Sequence, residues 1–332
     1  MEKTKTKPVN YADETVLNIV RKTESLYVKV PRFVEVFDLI ASCHQHSKYA
    51  AEPQCILLMG EQGTGKTTIG NKYLAQYPAY RDEEGDMKIP VFRIQIPAMA
   101  NPNSLSTALL KGLRDPLYQK GNNIHRTDRL VDLLESCGTE LIIMDEFQHF
   151  VDRKTDNFIG KTSDWLKNLI NDTGIPILLI GMPNSHKILD LNPQLKRRFP
   201  IQHQLEGFSF ETTEEQNEFQ KLLRMIGKHL PLTSSFSMDD WETGLRFFKG
   251  TRGKISELMA LLRSATTLAL TAPTPLITYE LLAKVWQQRN PNFRQQTINP
   301  FLEDANKVLA WQLPQESLPQ LFPTGKPKRG KG

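Results

Sequence analysis

The sequence lacks the features of membrane, secreted and disulfide-stabilised proteins. Only three of its 332 residues are cysteine (Cys43, Cys55 and Cys137). Their scattered positions favour a reducing compartment over a disulfide framework. No apolar run approaches the roughly 20 residues that a membrane-spanning helix needs, and no signal-peptide core follows Met1. We therefore expect a cytoplasmic protein.

The chain is also poor in metal-binding motifs, in repeats and in net charge. The segment Cys43-His44-Gln45-His46 carries potential ligands. A second ligand pair at zinc-finger spacing is missing, so a surface or core position is the favoured interpretation. No internal repeat is present. The net charge of only +5 permits an anionic partner without requiring one.

Apolar runs separated by helix-length segments predict an α/β fold with a parallel sheet covered on both faces. Such runs read as buried strands. The four clear ones are Cys55–Met59, Val91–Ile96, Leu141–Met144 and Ile175–Ile180, and a weaker fifth is Ile201–Leu205.

The remaining segments predict helices around this core and a disordered end. We expect an N-terminal helical segment (1–50), an α/β nucleotide-binding core (51–210), a helical lid (211–290), and an extension (291–332) with a basic disordered tail. The predicted helices are Tyr11–Tyr27, one opening at Pro31, Thr67–Gln76, Glu214–Gly227, Met238–Phe248, Lys254–Leu270 and Thr278–Arg289.

The first of these strands leads into a glycine-rich phosphate-binding loop, and a helix follows. The loop fits the pattern G-x-x-x-x-G-K-[ST], in which backbone N–H groups and the helix N-terminus surround phosphate oxygens. Lys66 would reach the β- and γ-phosphates, and the Thr67 hydroxyl would bind Mg²⁺. The predicted ATP-binding residues are Gly60, Glu61, Gln62, Gly63, Thr64, Gly65, Lys66, Thr67 and Thr68.

The third predicted strand ends in two carboxylates, Asp145 and Glu146. Asp145 would hold Mg²⁺ beside Thr67. Glu146 points differently and could polarise the attacking water as a general base. After a phosphate loop and one intervening strand, this pair indicates ATP hydrolysis.

Four polar residues further along the chain are candidates for sensing the nucleotide. Asn184 follows the fourth strand and could contact the γ-phosphate, although Ser185 is close and a loop asparagine often only forms a turn. Arg197 or Arg198 could complete a neighbouring subunit's site, or could belong to a solvated basic helix end. Arg252, in the helical region, could couple the lid to the γ-phosphate.

Together these motifs resemble an AAA+ ATPase over roughly residues 30–290. Within AAA+ proteins, the chain is similar to the TniB/TnsC group, which regulates Tn7-like and Tn5053-like transposons, including CRISPR-associated ones. Three segments carry this resemblance, in addition to the phosphate loop: Val30-Pro31-Arg32, Met144–Phe150 and Asn168–Gly181.

The resemblance implies a bacterial ATP-dependent transposition regulator. Such a protein assembles as a homo-oligomer, a ring or a helical filament, on double-stranded DNA. It links a TniQ/TnsD-like target selector to the transposase and is dismantled by ATP hydrolysis. DNA phosphates would be met by loops at 100–104 and 119–126, through Asn103, Lys120 and Arg126, unless these are merely solvated. The basic tail (Lys326, Lys328, Arg329 and Lys331) could add attraction to DNA.

Two other functions remain open at this point. A helicase loader or initiator is one alternative, although residues 291–332 are too short and too rich in proline for a winged helix. A sensor or scaffold ATPase that binds protein is the other, and its hydrolysis would be indifferent to duplex DNA.

Overall fold

The chain folds into a parallel five-stranded sheet with helices on both faces and a helical lid. The computed structural model describes residues 9–97, 101–151, 155–290 and 298–312. The sheet order is β4-β5-β6-β1-β7, so the first sheet strand of the chain lies between the fourth and the fifth. The strands are β1 Ile56–Met59, β2 Tyr80–Arg81, β3 Met87–Lys88, β4 Val91–Gln95, β5 Leu141–Asp145, β6 Ile177–Gly181 and β7 Ile201–Gln204, of which β2 and β3 form a separate hairpin.

Helices cover both faces of this sheet, and most begin at a recognisable cap. Pro31 opens α2, and capping boxes start α4 at Asn101 and α9 at Thr212. The helices are α1 Glu14–Ser25, α2 Pro31–Ser47, α3 Lys66–Leu74, α4 Pro102–Gly112, α5 Asn123–Ser136, α6 Asp156–Thr173, α7 Lys187–Asp190, α8 Pro193–Arg198, α9 Thr213–His229, α10 Trp241–Thr251, α11 Ile255–Ala269, α12 Tyr279–Arg289 and α13 Ala305–Ala310.

Two hydrophobic clusters form the core, one on each face of the sheet. Successive strand residues point to opposite faces, so Leu58 packs with α2, α3 and the lid while Leu57 packs with α4, α5 and α6. The lid helices share the first cluster with the sheet. The lid is therefore held against the core by apolar packing as well as by the chain connection.

The structure confirms the predicted parallel sheet, and each strand lies within two residues of its predicted bounds. The predicted helices are present too. The β2–β3 hairpin was not predicted. Residues 298–312, expected to lie in an extension, pack on the lid, where Arg246 Nη1 donates to the Pro300 carbonyl at 2.6 Å and the rings of Phe247 and Phe301 are 5.4 Å apart.

Parts of the sequence-based expectations lie outside the described residues. These are the basic tail with Lys326, Lys328, Arg329 and Lys331, and Ala100 of the first predicted DNA-facing loop. Within the described ranges, none of the helices combines the length and the apolar character needed to cross a membrane.

Candidate nucleotide-binding site

The predicted phosphate loop and the predicted acidic pair meet at the carboxyl ends of the three central strands. Met59 of β1 is in register with Gly181 of β6, and Gly60 N–H donates to the Gly181 carbonyl at 3.2 Å. Asp145 ends β5, the next strand of the sheet. Ligands of open parallel sheets bind at this edge, so the fold brings the phosphate loop and the acidic pair together.

Glycine is required in the phosphate loop for two different physical reasons. Gly63 and Gly65 have φ of 87° and 105°, a left-handed region in which a side chain is strained. At Gly60, a Cβ atom would lie 2.2 Å from the Leu205 carbonyl oxygen on the adjoining strand connection. The loop can therefore pass close to β7 and still turn its backbone into the cavity.

Lys66 is buried at the first position of α3, and its ammonium group closes the loop. Its Nζ donates to the carbonyls of Gly60 at 2.7 Å and Glu61 at 2.8 Å. Burial lowers the pKa of Lys66, and the nearby charges of Asp145, Glu146 and Glu61 oppose that shift. The ammonium thus has backbone acceptors that a phosphate oxygen could replace.

Asp145 is almost fully buried, and both of its oxygens have partners. Oδ1 accepts from the Glu146 backbone N–H at 2.8 Å, and Oδ2 lies 2.6 Å from Arg93 Nη2. Arg93 is on β4, and sequence analysis did not identify it. A charged residue inside the apolar run Val91–Ile96 was the available signal, because a half-buried guanidinium needs a partner.

Glu146 is held in a left-handed conformation, with φ 60° and ψ 37°. Such a conformation costs on the order of 1–3 kcal/mol and is often found at functional sites. Gln148 supports it, because its Nε2 donates to Glu146 Oε2 while its Oε1 accepts from Met182 N–H at 3.2 Å. Gln148 was also missed by sequence analysis, and it connects the carboxylate to the exit of β6.

These groups line one cavity of about 530 Å³ between the core and the lid, a size suited to a nucleotide. Its lining fits Mg²⁺-ATP: the loop with Lys66 would hold the phosphates, and Thr67 with Asp145 would hold the metal. The lining residues are Leu26, Tyr27, Val28, Phe33, Gln62, Gly63, Gly65, Lys66, Thr67, Thr68, Asp145, Glu146, Gln148, Gly181, Met182, Ile255, Ser256, Met259 and Arg263.

A comparison with models of protein families identifies the family of this chain. Residues 19–209, more than half of its length, match the model of the family described as Bacterial TniB protein. The chain belongs to the TniB family. A comparison with curated proteins found no match.

Solved structures of low sequence identity share the fold. The Aeropyrum pernix ORC2 protein, in ADPNP–ADP complexes, has a TM-score of 0.60 at 15% identity, covering 88% of this chain and 74% of that one. The A. pernix ORC1 protein in complex with DNA scores 0.58 at 15% identity, with 82% and 70% covered. Cdc6p of Pyrobaculum aerophilum scores 0.59 at 15% identity, with 80% and 69% covered. This TniB-family chain therefore shares its fold with these ORC and Cdc6 proteins, which confirms the predicted AAA+ fold.

Two predicted sensor residues lie near the cavity but are not among its lining residues. Asn184 is on the short 3-10 helix Pro183–His186, two residues beyond Met182. Arg252 ends α10 in a left-handed conformation with φ 54°. The lid reaches the cavity instead through one face of α11, including Ser256 and Arg263.

The two candidate finger arginines have different surroundings, although they are neighbours on α8. Arg198 is 14% exposed, lies 2.7 Å from Glu52 and donates to Asn171 Oδ1 at 2.9 Å. Arg197 is 73% exposed and has a longer contact of 3.4 Å to Glu52. Arg198 is therefore fixed within its own chain, whereas Arg197 projects outward.

The predicted DNA-contacting residues lie together at the α4–α5 edge. Arg126 Nη1 donates to Asn103 Oδ1 at 2.7 Å, and Arg126 Nη2 donates to the Gln119 carbonyl at 2.7 Å. Arg126 is half-buried, while Asn103 and Lys120 are exposed. The structure brings the two predicted loops into contact, with Arg126 joining them.

Proposed function

We propose that this chain is an ATPase that regulates DNA transposition. It binds Mg²⁺-ATP, assembles as a homo-oligomer on double-stranded DNA, and connects a target-selecting protein to a transposase. ATP hydrolysis then dismantles the assembly. Membership of the TniB family supports the transposition role, and the cavity supports the ATPase activity.

The observation that carries the assembly part is the position of Arg197. The carbonyl of Arg198 accepts from Cys55 N–H at 2.8 Å, which places α8 at the amino end of β1. The phosphate loop begins at Gly60, on the carboxyl end of β1 and about 16 Å away at 3.3 Å per residue. Arg197 thus belongs to a different edge of the subunit, and this position supports a role at a neighbour's site rather than at its own.

The chemistry assigned to the chain's own groups follows from their geometry. Bound Mg²⁺-ATP supplies a phosphoryl group for transfer to water. Glu146, oriented by Gln148, accepts a proton from that water, and Lys66 and the loop N–H groups stabilise negative charge. Because Arg197 comes from a neighbour, nucleotide binding and assembly form one linked equilibrium.

Charge at the α4–α5 edge supports contact with DNA phosphates. Between residues 111 and 126, the basic side chains Lys111, Arg114 and Lys120 are exposed. The single acidic residue there, Asp115, is buried and paired with Arg129 at 2.7 Å. A positive surface of this kind binds duplexes of any sequence and weakens as salt rises. The A. pernix ORC1 structure contains DNA, which is consistent with this assignment.

Arg126 has a supporting role in this proposal. Its hydrogen bonds to Asn103 and Gln119, together with one to Thr107 Oγ1 at 3.0 Å, occupy the guanidinium within the subunit. It therefore fixes the two loops relative to each other, and Lys120 makes the phosphate contact.

Electron microscopy with a slowly hydrolysed ATP analogue tests the proposal. We expect regular oligomers on duplex DNA that are lost without nucleotide. Lys120→Glu should weaken DNA binding for unrelated sequences alike and reduce the salt slope by about one. Lys221→Glu, on the exposed face of α9, is the matched control. A chain that stays monomeric with nucleotide and duplex, or that assembles equally well without DNA, contradicts the proposal.

A further inference from the structure

Helix α11 runs along the cavity from one end to the other. Ile255, Ser256, Met259 and Arg263 of this helix line the cavity, and their spacing places them on one helix face. Ser256 N–H donates to the Gly63 carbonyl at 3.1 Å, so the start of α11 lies on the phosphate loop. Seven residues later, about 10 Å along the helix axis, Arg263 is at the opposite end.

The far end of the cavity has walls suited to a flat, apolar group. Leu26, Tyr27 and Val28, between α1 and α2, line the cavity together with Met259. Apolar and aromatic walls with few polar groups are typical of small-molecule sites. Since the phosphates belong at the Gly63 end, the nucleoside occupies the end formed by these residues.

Arg263 closes this end from the lid, and Glu24 of α1 holds it there. Arg263 Nε lies 3.2 Å from Glu24 Oε2, and Nη2 donates to the Glu24 carbonyl at 3.1 Å. Within the described ranges, no hydrogen bond uses Nη1. Both residues also border a shallow groove on the outer side. The guanidinium thus forms part of the wall between the cavity and the surface.

We propose that Arg263 binds the base of the nucleotide by stacking its guanidinium plane on the ring, with Glu24 as its positioning residue. Guanidinium planes stack on nucleobases, and the neighbouring apolar walls remove competing water. This inference rests on nucleotide binding in the proposed function and adds the residue that recognises the nucleoside. The base then lies against both the lid, through Arg263, and the end of α1, through Glu24 and the residues after it.

Affinity for three related ligands tests this assignment. The ligands are ATP, ribose 5-triphosphate without a base, and inorganic triphosphate, titrated by calorimetry into dilute protein without DNA. Arg263→Ala should weaken ATP binding by about 3- to 30-fold and leave the other two affinities unchanged. Arg289→Ala, which removes an ion pair with Glu257 at 3.0 Å away from the cavity, should leave all three unchanged.

Each other outcome has a defined meaning. A loss that persists with the base-free ligand places the contact on ribose, and a loss with inorganic triphosphate places it on phosphate; both overturn the inference. Unchanged ATP affinity with a lowered Tm makes the Arg263–Glu24 pair purely structural and also overturns it. A chain that binds no ATP overturns this inference together with the proposed function. If Arg263→Ala binds ATP as tightly as the unaltered chain does, only this inference is overturned.

Two further variants protect the test against misfolding and examine Glu24. Arg263→Lys retains the charge but lacks the planar group, so it should also lose affinity for ATP alone. Glu24→Gln keeps Arg263 intact but weakens its positioning, and we expect a smaller loss that is again confined to ATP. Full ATP affinity in Glu24→Gln would remove the positioning role.

Discussion

The two ends of the nucleotide cavity are built in different ways. The phosphate end comes from one continuous segment, Gly60–Thr68, and from the ends of β5 and β6. The nucleoside end is assembled from Leu26–Val28 and, more than 200 residues later in the sequence, from the lid residues Met259 and Arg263. The difference teaches that a local motif specifies phosphate binding, whereas recognition of the nucleoside depends on how the lid closes.

Removing the lysine of the phosphate end gives the largest expected effect. Lys66→Ala should weaken both ATP and inorganic triphosphate binding by more than about 100-fold, because a charge-assisted contact is lost in a buried site. Calorimetric titration measures both, with Lys221→Ala as the control. A variant that still binds inorganic triphosphate normally would show that the phosphates lie elsewhere.

Shortening an apolar side chain at the nucleoside end should have a smaller and more selective effect. Met259→Ala removes buried surface next to the base, and we expect ATP affinity to fall by about 3- to 10-fold. Affinity for inorganic triphosphate should not change. If both ligands lose affinity equally, the proposed direction of the cavity is wrong.

The buried histidine of α2, His44, should affect the pH dependence of stability and leave both ends of the nucleotide cavity unchanged. Burial lowers the pKa of His44, although its bond to Glu140 opposes the shift. A lowered folded-state pKa favours the neutral ring, so the stabilisation is present above the ordinary value of about 6.5 and is lost as pH falls below it.

His44→Gln should therefore flatten the decrease in stability between about pH 7.5 and pH 5.5, measured by urea unfolding. ATP affinity should stay constant for this variant at pH 7.5. An unchanged pH slope would show that His44 does not titrate differently in the folded chain.

Contiguous patterns made much of the fold and of the phosphate end predictable. Buried strands appear as apolar runs, and the loop of Gly60–Thr67 has a fixed spacing. The charge of Arg93 inside an apolar run was a signal, but its pairing with Asp145 and that of Gln148 with Glu146 were not predictable, because they depend on sheet register and a short 3-10 turn. The sequence also could not decide between Arg197 and Arg198, since their difference depends on contacts with Glu52 and Asn171.

The lid residues that line the cavity could not be predicted from the sequence either. Arg252 lies just before the predicted helix Lys254–Leu270, whereas Arg263 lies two turns inside α11 and looks like an ordinary helix residue. Only the packing of α11 over the loop, with Ser256 against Gly63, shows that its Arg263 face lines the cavity.

Mixing two inactive variants tests most directly whether the site is shared between subunits. Glu146→Gln lacks the water-activating carboxylate, and Arg197→Ala lacks the group supplied to a neighbour, so each alone should hydrolyse ATP slowly on duplex DNA. In an equal mixture, about a quarter of head-to-tail interfaces combine both intact groups, and hydrolysis should recover to about that fraction of the unaltered rate. A mixture no more active than its components would contradict the account.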